Sequence, residues 1–199
     1  GLTMPTAHFG LDMVENEPAK VMSIAKRFNM RSVIIPYLTE EQRPTDAGGW
    51  HALGAKVAEL GKPIVDAGLS YGWHNHDFEF VALPTGETPM ELILSAGDHI
   101  GIEFDLAWAV RAGQDPAQWV SSFGARILAA HIKDIAPEGQ NTNEDGWADV
   151  GTGVMPWAEL FAKLTALNVP SIIVEHDNPI DDRRFASASL ATLRAFDTA

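Results

Sequence analysis

The stretch YGWHNHDFEF, residues 71–80, sets two histidines, an asparagine, an aspartate and a glutamate among aromatic residues. Aromatic residues in alternation suit a strand. A strand that ends in His74 and His76 ends in groups that bind cations or move protons. Three further apolar runs end alike: IGIEFD at Asp105, ILAAHIKD with His131, and SIIVEHD with Glu175. Side chains alternate along a strand. His74, Asp105, His131 and Glu175 can therefore be the last inward-facing residues of four successive strands. Two carboxylates with one or two imidazoles suit a divalent ion. The chain has no cysteine, so sulfur ligands and disulfides are excluded. Mn²⁺, Mg²⁺, Co²⁺ and Zn²⁺ all fit such a donor set. An ion held there polarises a carbonyl and stabilises an enediolate, the species through which a proton moves beside a sugar carbonyl. A nearby carboxylate or histidine then shuttles the proton.

Each residue type has a plainer explanation when taken alone. A histidine after a strand is commonly a hydrogen-bonded structural group, and an aspartate there commonly caps a helix. Recurrence on four strands favours the metal reading. Lys133 would hold a substrate oxygen or be an ordinary solvated lysine. Trp108 would be a sugar-stacking platform or plain core. His8 ends the first strand and would line the same mouth. Glu103 is either a buried partner or a solvated edge residue.

The elements that position these residues follow from the hydrophobic period. Short β-branched runs at 4–10, 32–38, 69–76, 100–108, 127–135 and 171–179 predict strands. Helical stripes lie between them. Residues 17–29 carry Val21, Ile24, Ala25 and Phe28 on one face, and 47–67 predict a longer helix kinked or broken at Pro63. DPAQWVSSFG opens with Asp115 as cap and Pro116 in the first turn, and stops at Gly124. MPWAELFAKLTALN uses Pro156 in the same way, and the tail from Asp182 reads as a last helix. LPTGETP reads as a turn between two short strands. Alternating strands and helices mean α/β architecture with a parallel sheet. Chemistry gathered at the C-terminal ends of successive strands points to a (β/α) TIM-type barrel. Six βα units are recognisable where a closed barrel has eight strands, so an N-terminally incomplete single domain over residues 1–199 is expected.

Composition removes other functions. Net charge is −13, with 14 Lys and Arg in no cluster, which argues against a nucleic-acid partner. No apolar run approaches the roughly twenty residues of a membrane helix, and no signal peptide is visible. A cytoplasmic protein is expected.

GWHNHDFEF, FDLAWAVRAGQDP, HIKD, DVGTGVMPW and VEHDNP together resemble the xylose isomerase-like barrel family, in the branch of sugar phosphate isomerases and epimerases. The resemblance spans nearly the whole chain. It implies a metal-dependent isomerase or epimerase acting on a sugar, keto-sugar or polyol. Dehydration of a keto-inositol-like substrate is the alternative on the same site, and a truncated, non-catalytic barrel is the third. The ligand pattern Glu, Asp, His, Glu maps its last three positions onto Asp105, His131 and Glu175. At the first position this chain has His74. Either His74 binds the ion, as its parity suggests, or the chain bends and brings Glu79 to it. Glu79 is slightly preferred, with His74 and His76 as acid/base or substrate groups and Glu175 and Lys133 also catalytic. The first two βα units of the family are missing from the pattern. The exposed strand edges that result would invite association with a second copy.

Overall fold

The computed structural model describes residues 1–196, in two compact units, residues 1–104 and 105–199 less the undescribed end. In the first, β1 (Thr6–His8) leads through α1 (Leu11–Asn16) and α2 (Pro18–Arg27) to β2 (Ser32–Ile35). Then come α3 (Ala47–Asp66), β3 (Ser70–His74), α4 (Pro89–Ser95) and β4 (Ile100–Asp105), whose last residue opens the second unit. The strands pair in parallel in chain order, with His8 opposite Ile34, Ile34 opposite Gly72, and His74 opposite Glu103. Parallel strands are covered on both faces, which is why β2 and β4 are buried at every position. Val33, Ile34, Ile35, Trp73, Ile102 and Phe104 form the core with Trp50, Val57 and Ile64 of α3. Each such side chain contributes about 1.5–3 kcal/mol on burial.

Asp46 caps α3, accepting from Gly49 N at 2.8 Å. α3 passes through Pro63 unbroken to Asp66. The proline lies in the last turn, where it removes only one ladder hydrogen bond, and the burial of Ile64 one residue on holds that turn. LPTGETP does make a turn, with Gly86 N on Leu83 O at 2.8 Å, but no strands flank it. Its end is instead the capping box of α4, Thr88 with Glu91, and Pro89 sits in the first turn.

The second unit continues with α5 (Leu106–Arg111), α6 (Pro116–Phe123) and β5 (Ile127–Ile132). A small antiparallel pair follows, β6 (Asp134–Ile135) and β7 (Trp147–Ala148), then α7 (Trp157–Ala166), β8 (Ile172–Val174) and α8 (Asp182–Phe196). β5 pairs β8 in parallel, with His131 opposite Ile173. Asp115 accepts from Ala117 N and Gln118 N to cap α6, as its sequence predicts. Strand β4 stops at Asp105, and α5 begins at residues 106–108, LAW, which the sequence read as continuing strand. Asp105 causes the switch, because its Oδ1 accepts from Trp108 N at 2.9 Å and starts a helix. Among the described residues no helix is long and apolar enough to cross a membrane.

Candidate metal centre

Four chemical groups converge in the second unit. Asp105 ends β4, His131 lies near the end of β5, Lys133 follows it, and Glu175 comes one residue after β8. His131 Nδ1 is 3.7 Å from Asp105 Oδ2 and 3.9 Å from Glu175 Oε2. One ligand atom from each of these three residues lies within 4.8 Å of the others. Two carboxylate oxygens and an imidazole nitrogen at that spacing fit a divalent cation by donor chemistry. Asp105 is fully buried and its Oδ1 is spent on the α5 cap, so Oδ2 is oriented toward His131 and Lys133. The helix cap therefore also sets where Oδ2 points.

Lys133 is 1 % exposed, and its Nζ lies 2.5 Å from Glu175 Oε2, 2.8 Å from Asp177 Oδ2 and 3.2 Å from Asp105 Oδ2. Burial alone pulls the lysine pKa down. The carboxylates of Asp105, Glu175 and Asp177 outweigh it, and the pKa lies above its ordinary value, so the ammonium is charged. The same ammonium lies 4.6 Å from the centre of the Trp147 ring and 5.3 Å from that of Trp108. Trp108 is half-buried and meets Trp147 edge-on at 4.9 Å.

Two devices hold this arrangement. The first is Asp134, fully buried beside Lys133. Its Oδ1 accepts from Ile135 N at 2.9 Å and Met155 N at 3.0 Å, and its Oδ2 from Gly151 N at 2.8 Å and Gly153 N at 3.2 Å. The loop DVGTGVMP is thus wrapped around an internal carboxylate. Gly151 has φ +88°, and a Cβ on Gly153 would collide with Asp134, which explains both glycines. The second device anchors the segment after β8. Glu144 accepts from Ile180 N at 2.8 Å and from Arg184 Nη2 at 2.6 Å. Arg184 Nε also donates to Asp149 at 2.9 Å, and Asn178 Nδ2 to Asp145 at 2.9 Å.

The first unit carries the other sequence candidates. His8, at the end of β1, pairs through Nε2 with the buried Glu103, which also accepts from Thr6 Oγ1 at 3.2 Å. His8 stacks on His74 at 5.1 Å, and His74 meets His76 edge-on at 4.9 Å. His74 Nδ1 lies 3.2 Å from the Glu103 carbonyl oxygen. Glu103 is the buried partner of the two readings that its sequence position allowed.

Glu79 is fully buried, and its carboxylate accepts from Trp73 Nε1 at 3.0 Å and from His76 N at 2.8 Å. Both oxygens are thus engaged within their own unit. Burial pushes its pKa up to about 7, against the pull of those hydrogen bonds. A folded pKa above the unfolded value means stability is fully present below about pH 4.5 and is lost as pH rises toward 7. That loss is expected to be of order 3 kcal/mol at most. Urea unfolding of Glu79→Gln across pH 4.5–7 should show the slope flattened. An unchanged slope would contradict this assignment.

Sequence reasoning left two contributors unmarked. Asp177 lies inside VEHDNP, and nothing in the sequence ties it to Lys133, 44 residues away. Asp134 lies inside HIKD, and the glycines of DVGTG were its only trace.

The fold is shared with solved structures. A sugar phosphate isomerase/epimerase from Parabacteroides distasonis matches with TM-score 0.77 at 24 % identity, over 98 % of this chain and 71 % of that one. The 3-keto-D-glucoside 4-epimerase YcjR from E. coli matches with TM-score 0.69 at 15 % identity, over 100 % and 80 %. The IolI protein with a bound zinc atom matches with TM-score 0.65 at 15 % identity, over 98 % and 75 %. No curated protein matches the sequence. Residues 17–196 match the family described as xylose isomerase-like TIM barrel, and the chain belongs to that family.

Proposed function

We propose that the chain is a divalent-metal-dependent isomerase or epimerase of a sugar, keto-sugar or polyol-derived carbonyl compound, working through an enediolate. The observation that carries this reading is the convergence of Asp105, His131 and Glu175 at strand ends, with ligand atoms within 4.8 Å. The names of the neighbouring structures, two sugar epimerases or isomerases and one protein holding zinc, support it.

A bound Mn²⁺, Mg²⁺, Co²⁺ or Zn²⁺ would supply Lewis acidity at the substrate carbonyl. Asp105 and His131, both buried, would hold the ion. Glu175 is 27 % exposed, and this reach makes it the carboxylate that also takes a substrate proton. Lys133 offers its ammonium to a substrate oxygen, and Trp108 offers a ring face to a sugar. His8, His74 and His76 lie at or just past the ends of β1 and β3 and bind substrate or carry protons. For the first ligand the sequence offers Glu79, slightly preferred, or His74; Glu79 also accepts from Trp73 Nε1 and His76 N.

The test is to load the protein with Mn²⁺ and incubate it with keto-sugars and keto-inositols in D₂O. Deuterium entering beside the carbonyl without loss of water supports isomerase or epimerase chemistry. Loss of water marks the dehydratase reading, which shares the site. Neither exchange nor dehydration across the panel, with Mn²⁺ bound, would leave only the non-catalytic reading.

A further inference from the structure

We propose that Lys133 is the internal cation of the metal-free centre, and that Asp177 is the positioning residue that retains its ammonium when a divalent ion takes Asp105 and Glu175. This rests on the metal reading above and adds to it a competition between two cations for the same oxygens.

The geometry carries it. Lys133 Nζ contacts Asp105 Oδ2 and Glu175 Oε2, the two oxygens that also face His131 Nδ1. Three carboxylates are gathered around one ammonium, and the lysine is 1 % exposed. A buried cluster of negative charge without a cation is costly, so the ammonium neutralises it in part. A second cation at those oxygens meets like-charge repulsion, and the lysine must give up part of its contact.

Its three partners differ in what they can keep. Asp105 is locked as the α5 cap and is fully buried. Asp177 is 36 % exposed and lies on the chain segment after β8, with its Oδ2 accepting from Nζ at 2.8 Å. The Trp147 and Trp108 rings lie against the ammonium as well, at 4.6 and 5.3 Å. A cation is stabilised on such faces. The ammonium can therefore keep Asp177 and the indoles while yielding Asp105 and Glu175. It then remains beside the ion, able to donate to a substrate oxygen.

The experiment titrates Mn²⁺ alone into wild type, Lys133→Met, Asp177→Asn and Asp177→Glu, following free Mn²⁺ by electron paramagnetic resonance. Lys133→Met is expected to bind Mn²⁺ at least about tenfold tighter, because the competing charge is gone. Its metal-free melting temperature should fall below wild type and rise further on Mn²⁺ addition than wild type does. Asp177→Asn is expected to bind about threefold or more weakly, because the displaced ammonium has lost its charged partner. Asp177→Glu should restore most of that loss, which a purely structural role at an exposed position would not require. Wild type that binds Mn²⁺, with Lys133→Met no tighter or Asp177→Asn unchanged, overturns the competition and leaves the metal reading intact. Mn²⁺ binding by none of the four overturns both. Should Lys133→Met fail to fold without metal, the Asp177 pair decides.

Discussion

Asp105→Ala is expected to lower divalent-cation affinity by more than about a hundredfold, since even removal of a residue that only supports a ligand costs 10–100-fold. The same substitution removes the cap of α5 and one of the three partners of Lys133. Metal-free stability should therefore fall too, by about 1–3 kcal/mol. Asp105→Asn separates the two effects. Asparagine is as good a helix cap as aspartate, so Trp108 N keeps its acceptor, while the charge that attracts the cation is lost. The expected pattern is near-normal folding with poor metal retention in Asn, and a deficit in both in Ala. Metal content after Mn²⁺ loading and dialysis, measured by inductively coupled plasma mass spectrometry, gives the first quantity and urea unfolding the second. Full retention of metal in both variants would remove Asp105 from the centre.

Asp134→Ala should destabilise the protein more than any substitution of an exposed residue, by about 3–5 kcal/mol. Four backbone N–H groups point at its carboxylate. Alanine leaves them without acceptors in a fully buried place, and each such loss carries a desolvation cost. Asp134→Asn should be nearly as harmful, within about 1 kcal/mol, because its amide would set donors against two of those N–H groups. Urea denaturation gives both values. A loss under about 1 kcal/mol in Asp134→Ala would mean that the loop holds its shape without the carboxylate.

Much of the fold was legible in the sequence because its signals are local. Continuous β-branched runs marked the strands, since a parallel strand is buried on both faces whatever its neighbours are. Asp115 with Pro116, and Pro156, marked helix starts, since capping needs only adjacent residues. Three short elements escaped for the opposite reason. α1, α4 and α5 are six or seven residues long, too short for a helical period to stand out. In α5 the apolar letters read equally well as strand until Asp105 is seen turning back onto Trp108. Pro63 was overruled by burial, which a local rule does not include.

The sequence by itself determined the donor inventory and its order along the chain: Asp105, His131 and Glu175 at the ends of apolar runs, with no sulfur to compete. Residue type and strand parity suffice for that. Only the tertiary structure decided which charges meet. Lys133 and Asp177 are 44 residues apart, and no periodicity links them. The glycines of DVGTG name no partner in the sequence, yet the loop of Gly151 and Gly153 closes on the carboxylate of Asp134. Glu79 is slightly preferred to His74 as the first ligand on hard-cation grounds, and only the fold shows that its oxygens accept from Trp73 Nε1 and His76 N. In each case the partner comes from folding, because buried charge is stable only where the chain delivers a counter-charge or donors to it.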